Sequence, residues 1–334
     1  MTSADFKNEL SWSISRRNMF ENCKRKYFYN YYGSWEGWES EAPEEARILY
    51  RLKQLDSRHT WKGTTVHDAI AFLLKCLLEN KKIEFEKIEK TVVQRMRAQF
   101  RESLAKSYRE DPKRKFGLLE HEYEEEIADR VWRENRDDVL ECLDNFKASK
   151  YWKAVEELEL SRCLALEGDL NNPSNLWKNI TTDLQTLLHL PYSVTVDSFD
   201  LDGLKVWAKL DFAYRQKDGT VQIIDWKSGQ SGGEPDSLQL NVYGYYASEV
   251  WELRDENIQL TIYNVAREEE FTHQFSSKAK RETRQQILAN VREMKEILVE
   301  PEENKARKED FPKIENDNFC RHCEYRLICK PGLD

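Results

Sequence analysis

Asp211 and the tripeptide Asp225-Trp226-Lys227 place two carboxylates and an amine at spacings that can hold a divalent cation beside a phosphodiester. Asp211 is read as ending one apolar strand pattern within Leu204 to Arg215, and Asp225 as ending the next, Val221 to Asp225. The turn signal Asp218-Gly219 joins the two. A hairpin there brings both carboxylates to one end of a sheet, and the two-residue period of a strand puts Asp225 and Lys227 on one face. Magnesium takes oxygen ligands and usually only one or two protein carboxylates, which leaves places for water and a substrate phosphate. The lysine can orient a nucleophile or stabilise charge developing on phosphorus.

A second constellation is Cys320, Cys323 and Cys329, in the run C-R-H-C-E-Y-R-L-I-C, with Cys23 in a basic, aromatic stretch near the other end of the chain. Seven cysteines is an odd number, which argues against a complete disulfide framework and for clustered thiolates as metal ligands. Four thiolates hold either zinc or an iron-sulfur cluster. Zinc sites usually show two C-x-x-C knuckles, and here Cys320 and Cys323 make one, so the asymmetry favours [4Fe-4S], with zinc the alternative. Either metal would staple the two termini and close a very long loop. Cys76, Cys142 and Cys163 sit in helical or apolar contexts and read as packing residues.

The elements that must position these groups are legible in outline. Ser11 to Ser15 offers helix-start chemistry and the following segment through Tyr32 reads as helical, a polar acidic loop follows near Ser40 to Glu45, and Trp61 to Leu78 reads as an apolar helix carrying Gly63 and His67. From Lys82 to Tyr151 nearly everything looks helical and charged, with Asp111-Pro112 as the clearest break. After Pro191 the character changes to strands at Tyr192 to Phe199, Leu204 to Arg215 and Val221 to Asp225, with Asp202-Gly203 as a further turn signal. Ser231-Gly232-Gly233 reads as a loop, Pro235 as a helix start and Leu238 to Trp251 as a helix. Ile258 to Val265 and Glu270 to Phe275 return to strand, and Lys278 to Val299 is a long charged helix. The division expected is N-terminal helices over 1–80, a helical insertion over 81–190, a catalytic core over 191–300 and a cysteine segment over 301–334.

Composition bounds the rest. Forty per cent hydrophobic residues, with ten Trp, fifteen Tyr and fourteen Phe among 334, describes a globular chain large enough for one big core or two modest ones. The net charge of -9 speaks weakly against nucleic acid, yet basic residues bunch at Arg16-Arg17, Lys24-Arg25-Lys26, Arg109 to Lys115 and Lys278 to Arg284. Most such runs are solvated helix faces, although a local basic track can engage phosphates. The longest apolar stretches, such as Ala69 to Leu74, are too short for a bilayer and the first twenty residues carry no signal region, so a soluble, cytoplasmic protein with no membrane association is expected.

Taken in order, His67, Asp211, Asp225-Trp226-Lys227 and Gln239-Leu240-Asn241-Val242-Tyr243, with Cys23 and the terminal C-x2-C-x5-C, resemble the PD-(D/E)xK nuclease superfamily. The resemblance is to its RecB/AddB-like branch with a C-terminal iron-sulfur cluster, which includes CRISPR-associated iron-sulfur nucleases. It implies an α/β fold with a central mixed β-sheet flanked by helices, a restriction-endonuclease-like core, a large helical insertion and an iron-sulfur staple joining the termini. It implies that His67, Asp211, Asp225 and the main-chain carbonyl of Trp226 bind Mg2+ or Mn2+, and that Lys227 assists attack. Gln239 and Tyr243, one helical turn apart, would position substrate or Lys227, and Cys23, Cys320, Cys323 and Cys329 would hold [4Fe-4S].

The resemblance covers both ends and about 204–265, and says little about 80–190. Two departures stand out: Ala208-Lys209 precede the first aspartate where relatives often have glycine, and the gap from His67 to Asp211 is long. The activity implied is that of a metal-dependent DNA nuclease, an exonuclease acting on single-stranded DNA or DNA ends and leaving 5'-phosphates, in repair, recombination or defence. With no G-x-x-x-x-G-K-[ST] motif, unwinding would come from a helicase or a CRISPR-type defence partner. The rival reading is a non-cleaving iron-sulfur subunit that binds nucleic acid or serves as a scaffold. In either case the segment bearing Lys24, Arg25, Lys26, Tyr27 and Tyr29 is expected to guide and stack a single strand beside the active site.

Overall fold

The computed structural model describes residues 7–167, 197–230 and 237–332. Its chain order begins with a short strand, β1 (Ser11–Trp12), then helices α1 (Ile14–Asn22) and α2 (Lys24–Phe28), a π-turn (Tyr29–Gly33), α3 (Glu44–Lys53) and α4 (Arg58–Leu78). Four helices follow, α5 (Phe85–Leu104), α6 (Leu119–Glu122), α7 (Asp129–Ala148) and α8 (Lys150–Glu156). Strands β2 (Cys163–Leu166), β3 (Asp197–Leu201), β4 (Leu204–Ala208), β5 (Phe212–Arg215) and β6 (Val221–Lys227) lead to α9 (Ser237–Val250). The chain closes through β7 (Ile258–Asn264), β8 (Glu269–Gln274), α10 (Ser277–Glu296), α11 (Asp317–Arg321) and α12 (Arg326–Cys329).

The architecture is the expected mixed α/β one, with two mixed sheets flanked by helices. The larger sheet runs β2-β5-β6-β7-β8, and only its β6–β7 pair is parallel, because α9 carries the chain across between them. The smaller sheet runs β1-β4-β3, with β1 parallel to β4. Alternation along β6 explains how one sheet serves two cores. Val221 and Ile223 pack in a core shared with α9 and α10, whereas Ile224 and Trp226 pack in a second core built by α4, α5, α7 and α8. Burial on both faces is why β6 reads as an almost unbroken apolar run.

Turn chemistry behaves as its residue types dictate. Asp202 and Gly203 both adopt positive φ (55° and 80°), the two-residue primed turn that matches strand twist, so Leu201 pairs directly with Leu204.

Four local expectations are corrected or sharpened. Leu204 to Arg215 is not one strand: it breaks at Lys209 to Asp211, and its halves join different sheets. Ser11–Trp12 is a short strand, so the helix start expected within Ser11 to Ser15 falls at Ser13, whose Oγ accepts from the Arg16 amide at 3.1 Å. Cys23 is not inside a helix; its extended backbone (φ -160°, ψ 107°) separates α1 from α2. The stretch expected to be a helical insertion also contains β2, whose Leu166 pairs with Phe212, so the main sheet begins before the expected core. Most of the strand expected at Tyr192 to Phe199, the Ser231 to Gly233 loop and Pro235 lie outside the described residues.

Among the described residues no helix is long and apolar enough to cross a membrane.

Candidate active site

Side chains from α4, α9, β6 and the ends of β2 and β5 meet in one cleft of about 880 Å³. Asp211 immediately precedes β5 and Asp225 lies near the end of β6; because β5 and β6 are antiparallel and Phe212 pairs with Ile224, the two carboxylates meet at one sheet end. The Trp226 amide donates to Asp211 Oδ2 at 2.8 Å, which locks the pair in register. Asp225 and Lys227 share the face of β6 turned toward α9, and the Lys227 ammonium sits 2.7 Å from Asp225 Oδ2. That contact is Coulombic rather than directional, since Oδ2 is buried and accepts no hydrogen bond.

The helix α9 completes this half. The Gln239 amide nitrogen donates to Asp225 Oδ1 (2.9 Å) and to the Tyr243 hydroxyl (2.8 Å), while its carbonyl oxygen accepts from Lys227 (3.0 Å). Tyr243 donates to the same Asp225 oxygen at 3.4 Å. Gln239 and Tyr243 therefore orient the Asp225-Lys227 pair as a unit, which is what one-turn spacing on a helix permits.

The other half comes from the second core. His67, on α4, places Nδ1 3.5 Å from Asp211 Oδ2 and 3.0 Å from an oxygen of Glu167. Glu167 follows β2, and its amide donates to the Asp211 carbonyl at 2.8 Å. Its other carboxylate oxygen pairs with Lys209. One ligand atom each from His67, Glu167 and Asp211 lies within 4.8 Å of the others. Sequence patterning did not single out Glu167; the available signal was an acid closing the apolar run C-L-A-L, as Asp225 closes its own strand.

Burial pushes the Asp211 carboxyl up to about 7, with the Asp225 charge adding and the His67 imidazole opposing. Burial alone would lower His67, but the Asp211 and Glu167 carboxylates raise it well above its ordinary value. Glu167 is held far below the usual carboxylate range because the cations of His67 and Lys209 outweigh its own desolvation. A divalent cation must therefore displace a proton from Asp211 below about pH 7. The His67 imidazolium must give up its proton as well, so the apparent affinity for Mn2+ is expected to rise with pH through and beyond that point, with proton release. Calorimetric titration at pH 6 and pH 8 in buffers of different ionisation enthalpy checks this; a pH-independent affinity contradicts it.

The donor set suits a hard, octahedral ion. Two carboxylates and one imidazole surround the point, and a buried, un-hydrogen-bonded oxygen of Asp225 adjoins it, a composition that matches Mg2+ or Mn2+ better than softer metals.

The two chain ends meet in the first core. The Arg25 amide and guanidinium donate to the carbonyls of Pro312 and Phe311 (3.2 and 2.7 Å), and Tyr325 donates to Asn30 at 3.0 Å. Cys23 lies near Cys323 and Cys329, and Cys329 near Cys320, although among the described residues no three of these sulfurs come within 4.8 Å of one another. The Lys26 amide donates to Cys23 Sγ at 3.4 Å, the N-cap bond of α2, and the Tyr325 amide donates to Cys323 Sγ at 3.5 Å. Burial pushes the Cys323 thiol up to about 12. Cys76, Cys142 and Cys163 pack in the second core as expected.

The expected stacking role of the Lys24 to Tyr29 segment does not survive. Tyr27 and Tyr29 are each 1% exposed, packed against Phe20 and Tyr325, and Lys26 is paired with Glu324 at 2.7 Å. The termini pack too tightly to leave these rings for a base.

Comparison with known proteins follows the same lines. The model of the PD-(D/E)XK nuclease superfamily matches residues 11–330. No curated protein matches the chain. Among solved structures, one described as the crystal structure of SSO0001 aligns at 14% identity over 64% of this chain and 91% of its own, with a TM-score of 0.25.

Proposed function

The chain belongs to the PD-(D/E)XK nuclease superfamily, and from that premise we propose that it is a Mg2+- or Mn2+-dependent deoxyribonuclease of the RecB/AddB-like kind. The observation that carries this reading is the approach of His67, Glu167 and Asp211 ligand atoms to within 4.8 Å, directly beside the Asp225-Lys227 ion pair. His67, Glu167, Asp211 and Asp225, with the Trp226 carbonyl, would hold the cation. When bound, the cation supplies Lewis-acid stabilisation of charge at phosphorus and acidifies an attacking water.

The remaining chemistry belongs to the chain. Lys227, held between Asp225 and Gln239, faces the developing phosphorane charge and orients the nucleophile. Tyr243 and Gln239 restrict Asp225 to one rotamer, so that little reorganisation accompanies reaction. Attack of the water on phosphorus with cleavage of the P–O3' bond and departure of the 3'-oxygen as a hydroxyl is the proposed course, which leaves a 5'-phosphate. Single-stranded DNA or DNA ends are the proposed substrate and exonucleolytic action the proposed mode. A helicase or a CRISPR-type defence complex is the proposed partner, in the cytoplasm, for repair, recombination or defence.

Cys23, Cys320, Cys323 and Cys329 are proposed to bind [4Fe-4S] as a structural staple, a reading supported by amides that donate to two of the sulfurs. Anaerobically purified protein is expected to be brown, to contain about four irons per chain and to cut labelled single-stranded DNA with Mn2+ but not with chelator. A protein that binds DNA yet never cuts it with any divalent cation supports the scaffold reading instead, and a colourless one containing zinc replaces the cluster.

A further inference from the structure

The strand β4 carries an alternation that neither the metal site nor either core absorbs. Val206 and Ala208 are buried in the first core, whereas Lys205 and Lys209 are exposed and Trp207 half-buried between them. Period-two geometry sets Lys205 and Trp207 on one face of β4, about 6–7 Å apart, and Lys209 follows just beyond the strand's end, two residues before Asp211. Trp207 and Lys209 line the same cleft as Asp211, Asp225 and Lys227.

The ring is held, not loose. Trp207 donates its indole N–H to Ser11 Oγ at 3.1 Å, across the small sheet, and the Lys205 ammonium lies 3.8 Å from the ring centroid. Asp200, paired opposite Lys205 on β3, directs its carboxylate to the Gly203 amide at 3.0 Å. Lys209, by contrast, is paired with Glu167, a carboxylate that the proposed cation would need, and its side chain is 58% exposed at the cleft.

We propose that Lys205, Trp207 and Lys209 form the subsite that receives a single strand of DNA and delivers it to the cleavage position. One base stacks on Trp207 and flanking phosphates meet the two lysines. Lys209 balances Glu167 while the site is empty and passes to a substrate phosphate when the cation takes Glu167. This assignment rests on the nuclease reading above and names its substrate class: stacking demands an unpaired base, so a single strand is favoured over duplex.

The test uses the full-length, cluster-loaded protein with a fluorescein-labelled single strand and its duplex, bound in Ca2+, together with Mn2+ titration in the absence of DNA. Lys209→Met is expected to bind Mn2+ several-fold more tightly, because a competitor for Glu167 is gone. The same variant binds the single strand more weakly, with a salt slope shallower by about 0.7, and Lys209→Arg restores that binding. Trp207→Ala weakens single-strand binding by about 5- to 150-fold with little effect on duplex, and Trp207→Phe recovers most of it.

The opposite signs in Lys209→Met separate substrate delivery from a structural ion pair. If Mn2+ binding weakens and DNA binding is unchanged, Lys209 only props Glu167 and the proposal is overturned. Equal loss of single-strand and duplex binding in Trp207→Ala overturns the stacking role. Wild-type protein that neither binds Mn2+ nor cuts DNA defeats the nuclease reading itself; wild type that does both, with variants indistinguishable from it, defeats only the β4 subsite.

Discussion

Asp225→Asn is expected to lower DNA cleavage on the order of a thousandfold or more while leaving the fold intact. The substitution keeps the volume at the end of β6 and an oxygen that can accept from Gln239. It removes the charge that fixes Lys227 at 2.7 Å and can set an amide N–H₂ against the ammonium. One change thus loses a cation ligand and releases the lysine together, which is why the effect should exceed that of Gln239→Ala. Gln239 only orients the pair, and its loss should reduce the rate about 10- to 100-fold. Single-turnover cleavage, with circular dichroism and melting to check folding, reads both. An Asp225→Asn protein keeping a tenth of wild-type activity would remove Asp225 from the site.

Trp226→Ala is expected to destabilise the protein by about 3–5 kcal/mol. Trp226 is 1% exposed, with Phe146, Tyr151 and Tyr263 rings packed edge-on at 5.4, 5.5 and 6.2 Å. These rings come from α7, α8 and β7, so the indole joins the helical layer to the sheet between two active-site residues. Truncation leaves a cavity that three rigid aromatics on separate elements cannot collapse to fill. Trp226→Phe should recover part of the loss. Urea titrations compare the three proteins, and a midpoint for Trp226→Ala equal to wild type would show that the layer is held elsewhere.

The catalytic motif was legible in one dimension because its geometry is local. Asp225 and Lys227 share a strand face by period two, and Gln239 and Tyr243 share a helix face by one turn, so each pair is set by spacing alone. Asp211 also came out beside Asp225, though by a different route from the one its flanking residues suggested. Residues 204–215 look uniformly strand-forming, and nothing in them marks the switch at Lys209 to Asp211 from one sheet to the other. The antiparallel β5-β6 hairpin sets the outcome in either case.

What the sequence by itself determined is therefore the α/β class, the turns at Asp202-Gly203 and Asp218-Gly219, and the order of the motif residues, all consequences of periodicity and backbone preference over a few residues. The tertiary structure decided what distant segments do to one another. It brought Glu167 from the end of β2 to His67 and Asp211, and it gathered Cys23 with the C-terminal cysteines. It also buried Tyr27 and Tyr29, which composition offers equally as stacking platforms, and left Trp207 lining the cleft. Whether an aromatic ring packs a core or meets a ligand depends on which segment lies above it, and that is settled by folding the whole chain, not by the residue's neighbours in sequence.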